Sequence, residues 1–221
     1  MVTTQGDRTH FSVLLDRTGS MQSIRQDTIG GFNTFLAEQQ AVPVPATFTL
    51  VQFDSQDPYE VMQSFTPIGM VPPLTPATYV PRASTPLFDA IGRGINDLAA
   101  RLDTLPADQR PAKIVFVIVT DGQENASREF TGERVRAMID ERRKAGWQFV
   151  FLSADESAIR DGASVGVHAD FSLAVEKGSR GTHRMWKAVS TRSTELRHAM
   201  RADMDLREIK ERLAREDGAG Q

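Results

Sequence analysis

Two short apolar runs, each breaking off at an aspartate, constrain this chain most. Phe11–Leu15 runs into Asp16-Arg17-Thr18-Gly19-Ser20, and Ile114–Val119 runs into Thr120-Asp121-Gly122-Gln123-Glu124-Asn125. Apolar runs of this length with little alternation fit strands covered on both faces, as in parallel sheets. Something helical must then cover them. Ile24, Thr28, Phe32, Phe35 and Leu36 share one face at helical spacing, as do Phe88, Ile91, Ile95, Leu98 and Leu102. A third helix, from about Gly132 to Lys144, uses Val135, Met138 and Ile139 and stops at Gly146.

Further strands are expected at Thr47–Phe53, Tyr59–Phe65, Trp147–Leu152 and near Asp170–Val175, with a short Ala-rich helix before the last. Only Asp54 to Pro58 separate the first two of these, so they should pair antiparallel. The expected fold class is therefore α/β: a doubly wound, mostly parallel sheet of about six strands, one an antiparallel edge strand, flanked by helices. Ligands on such sheets sit at the C-terminal strand ends, near the switch point. The stretch from Gln63 to Ser84 carries five prolines and reads as an ordered loop. Gly30-Gly31 weakens the first helix relative to alanine, which implies a close approach to its backbone.

Beyond residue 176 the chain reads as helical. Met185, Trp186, Val189, Leu196, Met200 and Met204 cluster on one side at 100° per residue. Lys177 to Arg201 carries seven cations and one acid, Glu195, which reads as a solvated basic face. Past Asp203 the register fails, and Asp205 with Glu208 resembles a capping box, so two helices with a bend are expected. The expected division is one domain over 1–176 and a helical extension over 177–221.

Composition closes off several functions. At 221 residues the chain can bury a core without staples, and zero cysteines exclude disulfides, thiolate metal sites and cysteine nucleophiles. A net charge of −3 argues against bulk capture of nucleic acid. No apolar run is long enough for a bilayer and the first nine residues lack a signal-peptide core, so the expected location is cytoplasmic. His10, His168, His183 and His198 are scattered with no nucleophile beside them. Gly92-Arg93-Gly94 lies inside a helical pattern and lacks a third glycine, so it is no nucleotide loop.

What remains is oxygen. Three loops supply Asp16, Thr18 and Ser20, then Thr85, then Asp121. Alternation along an extended turn turns 16, 18 and 20 toward a common point. Two carboxylates and three hydroxyls suit a small hard cation that wants an oxygen octahedron, and they suit zinc or copper less. Alone, Asp16, Thr18 and Ser20 would read as a helix cap. Glu124, Asn125 and Asp54 read as turn residues.

In these three segments the chain resembles the von Willebrand factor A family. Its metal-ion-dependent adhesion site is an Asp-x-Ser-x-Ser loop, a distant Thr and a distant Asp. Asp16-Arg17-Thr18-Gly19-Ser20 matches the first element with threonine in the middle place. Ser84-Thr85-Pro86-Leu87-Phe88-Asp89 matches the second, and Val119-Thr120-Asp121-Gly122 the third. The resemblance spans residues 9 to 175 and looks nearest to stand-alone bacterial or phage members. It implies one Mg²⁺ (or Mn²⁺) per chain, held by Thr18, Ser20 and Thr85 with Asp16 and Asp121 often acting through water. Neutral hydroxyls leave such a cation much of its charge, so the expected function is a non-enzymatic protein-binding module whose partner completes the metal with an Asp or Glu; the resemblance suggests AAA+ ATPases as one partner class. Two other functions stand beside it. A haloacid-dehalogenase-type Mg²⁺ phosphotransferase also begins strand, Asp loop, helix, but wants a second aspartate where Thr18 stands. A structural subunit would use the metal only to clamp its loops.

Overall fold

The computed structural model describes residues 8–153 and 172–174, together with 186, 187, 189–191, 193–195, 197 and 198 near the C-terminus. Six strands form one sheet: β1 (Thr9–Asp16), β2 (Ala46–Phe53), β3 (Glu60–Pro67), β4 (Lys113–Val119), β5 (Gln148–Ser153) and β6 (Ser172–Ala174). Their spatial order is β3-β2-β1-β4-β5-β6. Every pairing is parallel except β2 with β3, the antiparallel edge. This is the expected α/β class. β3 runs two residues further than its apolar pattern suggested, ending on Pro67. A proline is tolerated there because β3 is an edge strand.

The alternation of each strand sorts the core into two layers. Phe11, Val13 and Leu15 of β1, with Val115, Val117 and Val119 of β4, face α1 (Arg25–Gln40). Leu14 of β1, with Ile114, Phe116 and Ile118 of β4, faces α2 (Leu87–Thr104) and α3 (Gly132–Lys144). All eight residues of β1 are buried, as a central strand covered on both sides must be. α3 is closed two residues after Lys144 by Gly146, whose φ of +89° is the left-handed conformation that suits glycine just past a helix end.

The order of strands fixes where a ligand can sit. The chain leaves β1 toward β2 and β3, then crosses through α2 to β4 on the other side of β1. The switch point thus lies between β1 and β4, whose C-terminal ends carry Asp16 and Asp121.

Near the C-terminus the described residues are helical, and Trp186 and Val189 join the α1-side core. The close approach expected at Gly30-Gly31 belongs to Gly31 alone. A Cβ there would stand 2.1 Å from Cδ1 of Trp186, whereas one at Gly30 would meet nothing within 4 Å. The basic face is also not all solvated. Arg197 is buried, and its guanidinium donates to the backbone carbonyls of Gln39, Val42 and Val44, at and just beyond the C-terminal end of α1. Lys187 is exposed and pairs with Glu38 at 2.9 Å. The Ala-rich helix, the bend and capping box, and Met185, Leu196 and Met200 lie outside the described residues.

Candidate metal centre

The five residues singled out by sequence meet at one point. β1 delivers Asp16 at its last position, and a 3-10 turn over Gly19–Ile24 follows, with Thr18 in extended geometry as its cap. Thr18 Oγ1 lies 3.2 Å from Ser20 Oγ and accepts from Thr85 Oγ1 at 3.3 Å. Ser20 Oγ donates to Asp121 Oδ1 at 2.6 Å. The edge of an oxygen octahedron with arms of 2.0–2.1 Å is about 2.9 Å, so these spacings need only small adjustment to become edges of one. Gly122 closes the cluster from beneath: a Cβ there would lie 3.1 Å from both Ser20 Oγ and Thr85 Oγ1.

Asp16 plays a different part from the others. Its Oδ1 accepts the Thr18 N–H at 2.6 Å and its Oδ2 accepts the Thr120 hydroxyl at 2.6 Å. It is fully buried, and burial pushes its carboxyl up to about 7 against those hydrogen bonds, with Asp121 nearby adding to the rise. Such a carboxyl is one whose charge a neighbouring cation would stabilise. Thr18, Thr85 and Asp121 are buried too, while Gly19 and Ser20 are exposed, so the cluster opens to solvent on the Ser20 side. Among the described residues no three His, Cys, Asp or Glu side chains gather as a metal group. The donor set is hydroxyl-rich, and it fits a hard divalent cation.

Several residues that position the site were missed in the sequence. Thr120 could have been found by register: Leu15 pairs with Val119, which places Thr120 beside Asp16. Tyr79, buried in the proline-rich segment, donates its hydroxyl to the Asp16 carbonyl at 2.6 Å. Nothing in its local pattern signals that reach. Asp54 is a turn residue as expected, accepting from the N–H groups of Gln56 and Asp57. It is also fully buried and takes Arg17 Nε at 2.6 Å and Arg82 Nε at 2.9 Å. Burial works against its charge, yet Arg82, the Asp57 N–H and Arg17 together hold its carboxyl below the usual range. Arg17 also pairs with Glu60, so this network ties the first loop to the β2–β3 edge. Glu124 and Asn125 do more than shape a turn: Asn125 Oδ1 accepts the Thr85 N–H at 2.8 Å, and Glu124 Oε2 accepts the Phe88 N–H at 3.0 Å.

Of the histidines, His10 is buried, its Nδ1 lies 2.8 Å from Thr47 Oγ1, and its ring stacks on Phe65. His198 is exposed, and His168 and His183 lie outside the described residues. Gly92 and Gly94 sit within α2, as the sequence implied. Their backbones run close under Phe130 and Phe116 respectively.

No family model and no curated protein matches the sequence. The fold, by contrast, has known counterparts. Proximal thread matrix protein 1 from the mussel byssus, solved with a zinc-occupied MIDAS motif, aligns at a TM-score of 0.54 and 16% identity, over 86% of this chain and 47% of that one. The pilus adhesin SpaC from Lactobacillus rhamnosus GG aligns at 0.62 and 12% identity, over 85% of this chain and 31% of the adhesin. Manganese-loaded TRAP protein from Plasmodium vivax aligns at 0.54 and 10% identity, over 81% and 72%. The chain has the fold of these proteins. It spans about half the length of the mussel protein and a third of the adhesin. Among the described residues no helix is long and apolar enough to cross a membrane.

Proposed function

We propose that this chain is a von Willebrand factor A-type domain that holds one divalent cation, Mg²⁺ or Mn²⁺, and uses it to grip a protein partner. The observation that carries the reading is the convergence of the Thr18, Ser20 and Thr85 hydroxyls with Asp121 at the β1–β4 switch point. Those four side chains would hold the ion, and Asp16, anchored by Thr18 and Thr120, would add charge from behind. The metal-loaded states of the mussel and Plasmodium proteins support a divalent ion in this fold.

When bound, the ion supplies Lewis acidity toward one anionic oxygen from outside. The protein supplies the rest. Hydroxyl donors are neutral and leave that acidity largely intact, and the exposed Gly19 and Ser20 give an approach. A carboxylate of the partner is the commonest such oxygen on a protein surface, and an AAA+ ATPase is one partner class the family resemblance suggests. The exposed opening favours this reading over a metal that only clamps loops. Thr18, standing where a phosphotransferase wants a second aspartate, favours a binding module without turnover.

The test is capture of partners from the host's lysate with the full chain, in Mg²⁺, in EDTA, and in EDTA followed by excess Mg²⁺. The expected partner is lost in EDTA, returns with Mg²⁺, and fails to bind Asp16→Ala with Asp121→Ala. A complex that persists in EDTA and survives the double substitution would place recognition on another face.

A further inference from the structure

We propose that Asn125, backed by Glu124, Ser127 and Asp89, is a positioning device that makes the Thr85 and Asp121 loops a single rigid unit. The inference rests on the metal reading above and assigns residues that do not touch the ion.

The device begins with a defect. α2 starts at Leu87, and its N-cap residue, Pro86, makes no side-chain cap bond. The first N–H groups of a helix have no partner within it. Here the partners come from the loop after β4, some forty residues away in sequence. Glu124 Oε2 takes the Phe88 N–H at 3.0 Å, and Ser127 Oγ takes the Asp89 N–H at 3.1 Å. The same Glu124 shapes its own loop, with Oε1 accepting from the N–H groups of Ala126 and Ser127 at 2.9 and 2.8 Å.

α2 returns the contact. The buried Asp89 carboxylate accepts the N–H groups of Arg128, Glu129 and Phe130 at 2.8, 2.9 and 2.9 Å. The two segments therefore cap one another, and neither can shift without breaking part-buried hydrogen bonds that satisfy the other.

Asn125 carries this rigidity to the site. Its Oδ1 accepts the Thr85 N–H at 2.8 Å, and its own N–H donates to the Thr85 carbonyl at 3.1 Å. Both backbone polar groups of Thr85 thus end on one residue, only four positions from Asp121. The distance between the Thr85 hydroxyl and the Asp121 carboxylate is set by this pair, not by the long chain path between them. A fixed separation matters most for a small ion. Mg²⁺ demands near-ideal octahedral geometry at 2.0–2.1 Å, whereas Ca²⁺ accepts 2.3–2.6 Å and irregular shells; Mn²⁺, smaller than Ca²⁺ and also suited to an octahedron of oxygens, stands nearer Mg²⁺ on this scale. Loosening Thr85 should therefore cost the small ion more than the large one.

The experiment titrates the purified full chain with Mn²⁺ and with Ca²⁺, for the wild type, Ser20→Ala, Asn125→Ala, Asn125→Asp and Ser127→Ala, with a thermal melt of each. Asn125→Ala should weaken Mn²⁺ binding by roughly 10-fold or more, the scale of an outer-shell loss. Its Ca²⁺ affinity should change less, so the Mn²⁺-over-Ca²⁺ preference narrows. Asn125→Asp keeps an acceptor oxygen for the Thr85 N–H and should restore most of the Mn²⁺ affinity. If Asn125→Ala does not fold, Ser127→Ala tests the same device at its far end and should narrow the preference in the same direction. A Ser20→Ala protein that loses Mn²⁺ while the Asn125 and Ser127 variants keep wild-type affinity and preference would overturn the positioning role alone. A wild type that binds neither ion would overturn the metal reading itself.

Discussion

Gly31→Ala should destabilise this protein although it replaces glycine by alanine inside a helix. In a helix interior that exchange ordinarily gains about 1 kcal/mol. Here the new methyl carbon would stand 2.1 Å from Cδ1 and 2.9 Å from Cγ and Nε1 of Trp186, so the indole must move by more than an ångström. It has little room. Trp186 is 1% exposed, meets Phe32 edge-on at 5.7 Å, and lies 5.5 Å from Phe35. Local repacking of such a contact costs about 1–3 kcal/mol. Full ejection of an indole that buries roughly 200 Å² would cost about 5 kcal/mol. Set against the gain of about 1 kcal/mol, the expected net effect of Gly31→Ala is a loss of about 0–2 kcal/mol with repacking and up to about 4 kcal/mol with ejection, read by urea denaturation followed by circular dichroism. Gly30→Ala is the internal control: its Cβ would meet nothing within 4 Å, so it should gain up to about 1 kcal/mol. Most of the Gly31→Ala cost should vanish in a Trp186→Leu background, as residues in contact are not additive. A Gly31→Ala protein as stable as Gly30→Ala would refute the docking of Trp186 on α1.

Two further predictions concern buried charge. Burial lowers the His10 imidazole from its ordinary 6.5 to about 3, so below pH 6.5 the unfolded chain takes up a proton that the folded one refuses. The His10 contribution is therefore intact above pH 6.5 and is lost as pH falls toward 3, at up to about 1.4 kcal/mol per pH unit. Stability measured from pH 6.5 to 4 should fall less steeply in His10→Gln than in the wild type, and equal slopes would contradict the assignment. Arg197→Met should cost about 2–4 kcal/mol, because the carbonyls of Gln39, Val42 and Val44 lose a charged donor. Lys187→Ala, which breaks an exposed pair with Glu38, should cost under about 1 kcal/mol. Equal losses from the two would show that Arg197 behaves as a surface cation.

The strands were legible because burial on both faces leaves an uninterrupted apolar run, as in β1 and β4, and the helices because their apolar residues keep a 3.6-residue period. The donor loops were legible because the oxygens stand at strand ends, where backbone direction alone aims them. What stayed hidden depends on tertiary partners. Arg197 belongs to a stretch with the composition of a solvated face and is buried because three carbonyls at and beyond the end of α1 converge on its guanidinium. Gly30 and Gly31 are identical in sequence, and only the position of Trp186 separates them. Glu124 and Asn125 form a turn by local chemistry, and their second role exists because α2 begins just after Pro86, which offers no side-chain cap. Tyr79 reaches Asp16 from the middle of a proline-rich segment whose path no periodicity describes.

Calorimetric titration of the metal-free full chain with Mn²⁺ decides whether Thr18, Ser20, Thr85 and Asp121 are one divalent-ion site. One ion should bind per chain, with affinity at least roughly 10-fold weaker in Ser20→Ala and in Asp121→Ala while both variants keep the wild-type far-ultraviolet circular dichroism. No saturable binding to the wild type, or unchanged affinity in both variants, would show that these side chains hold no ion.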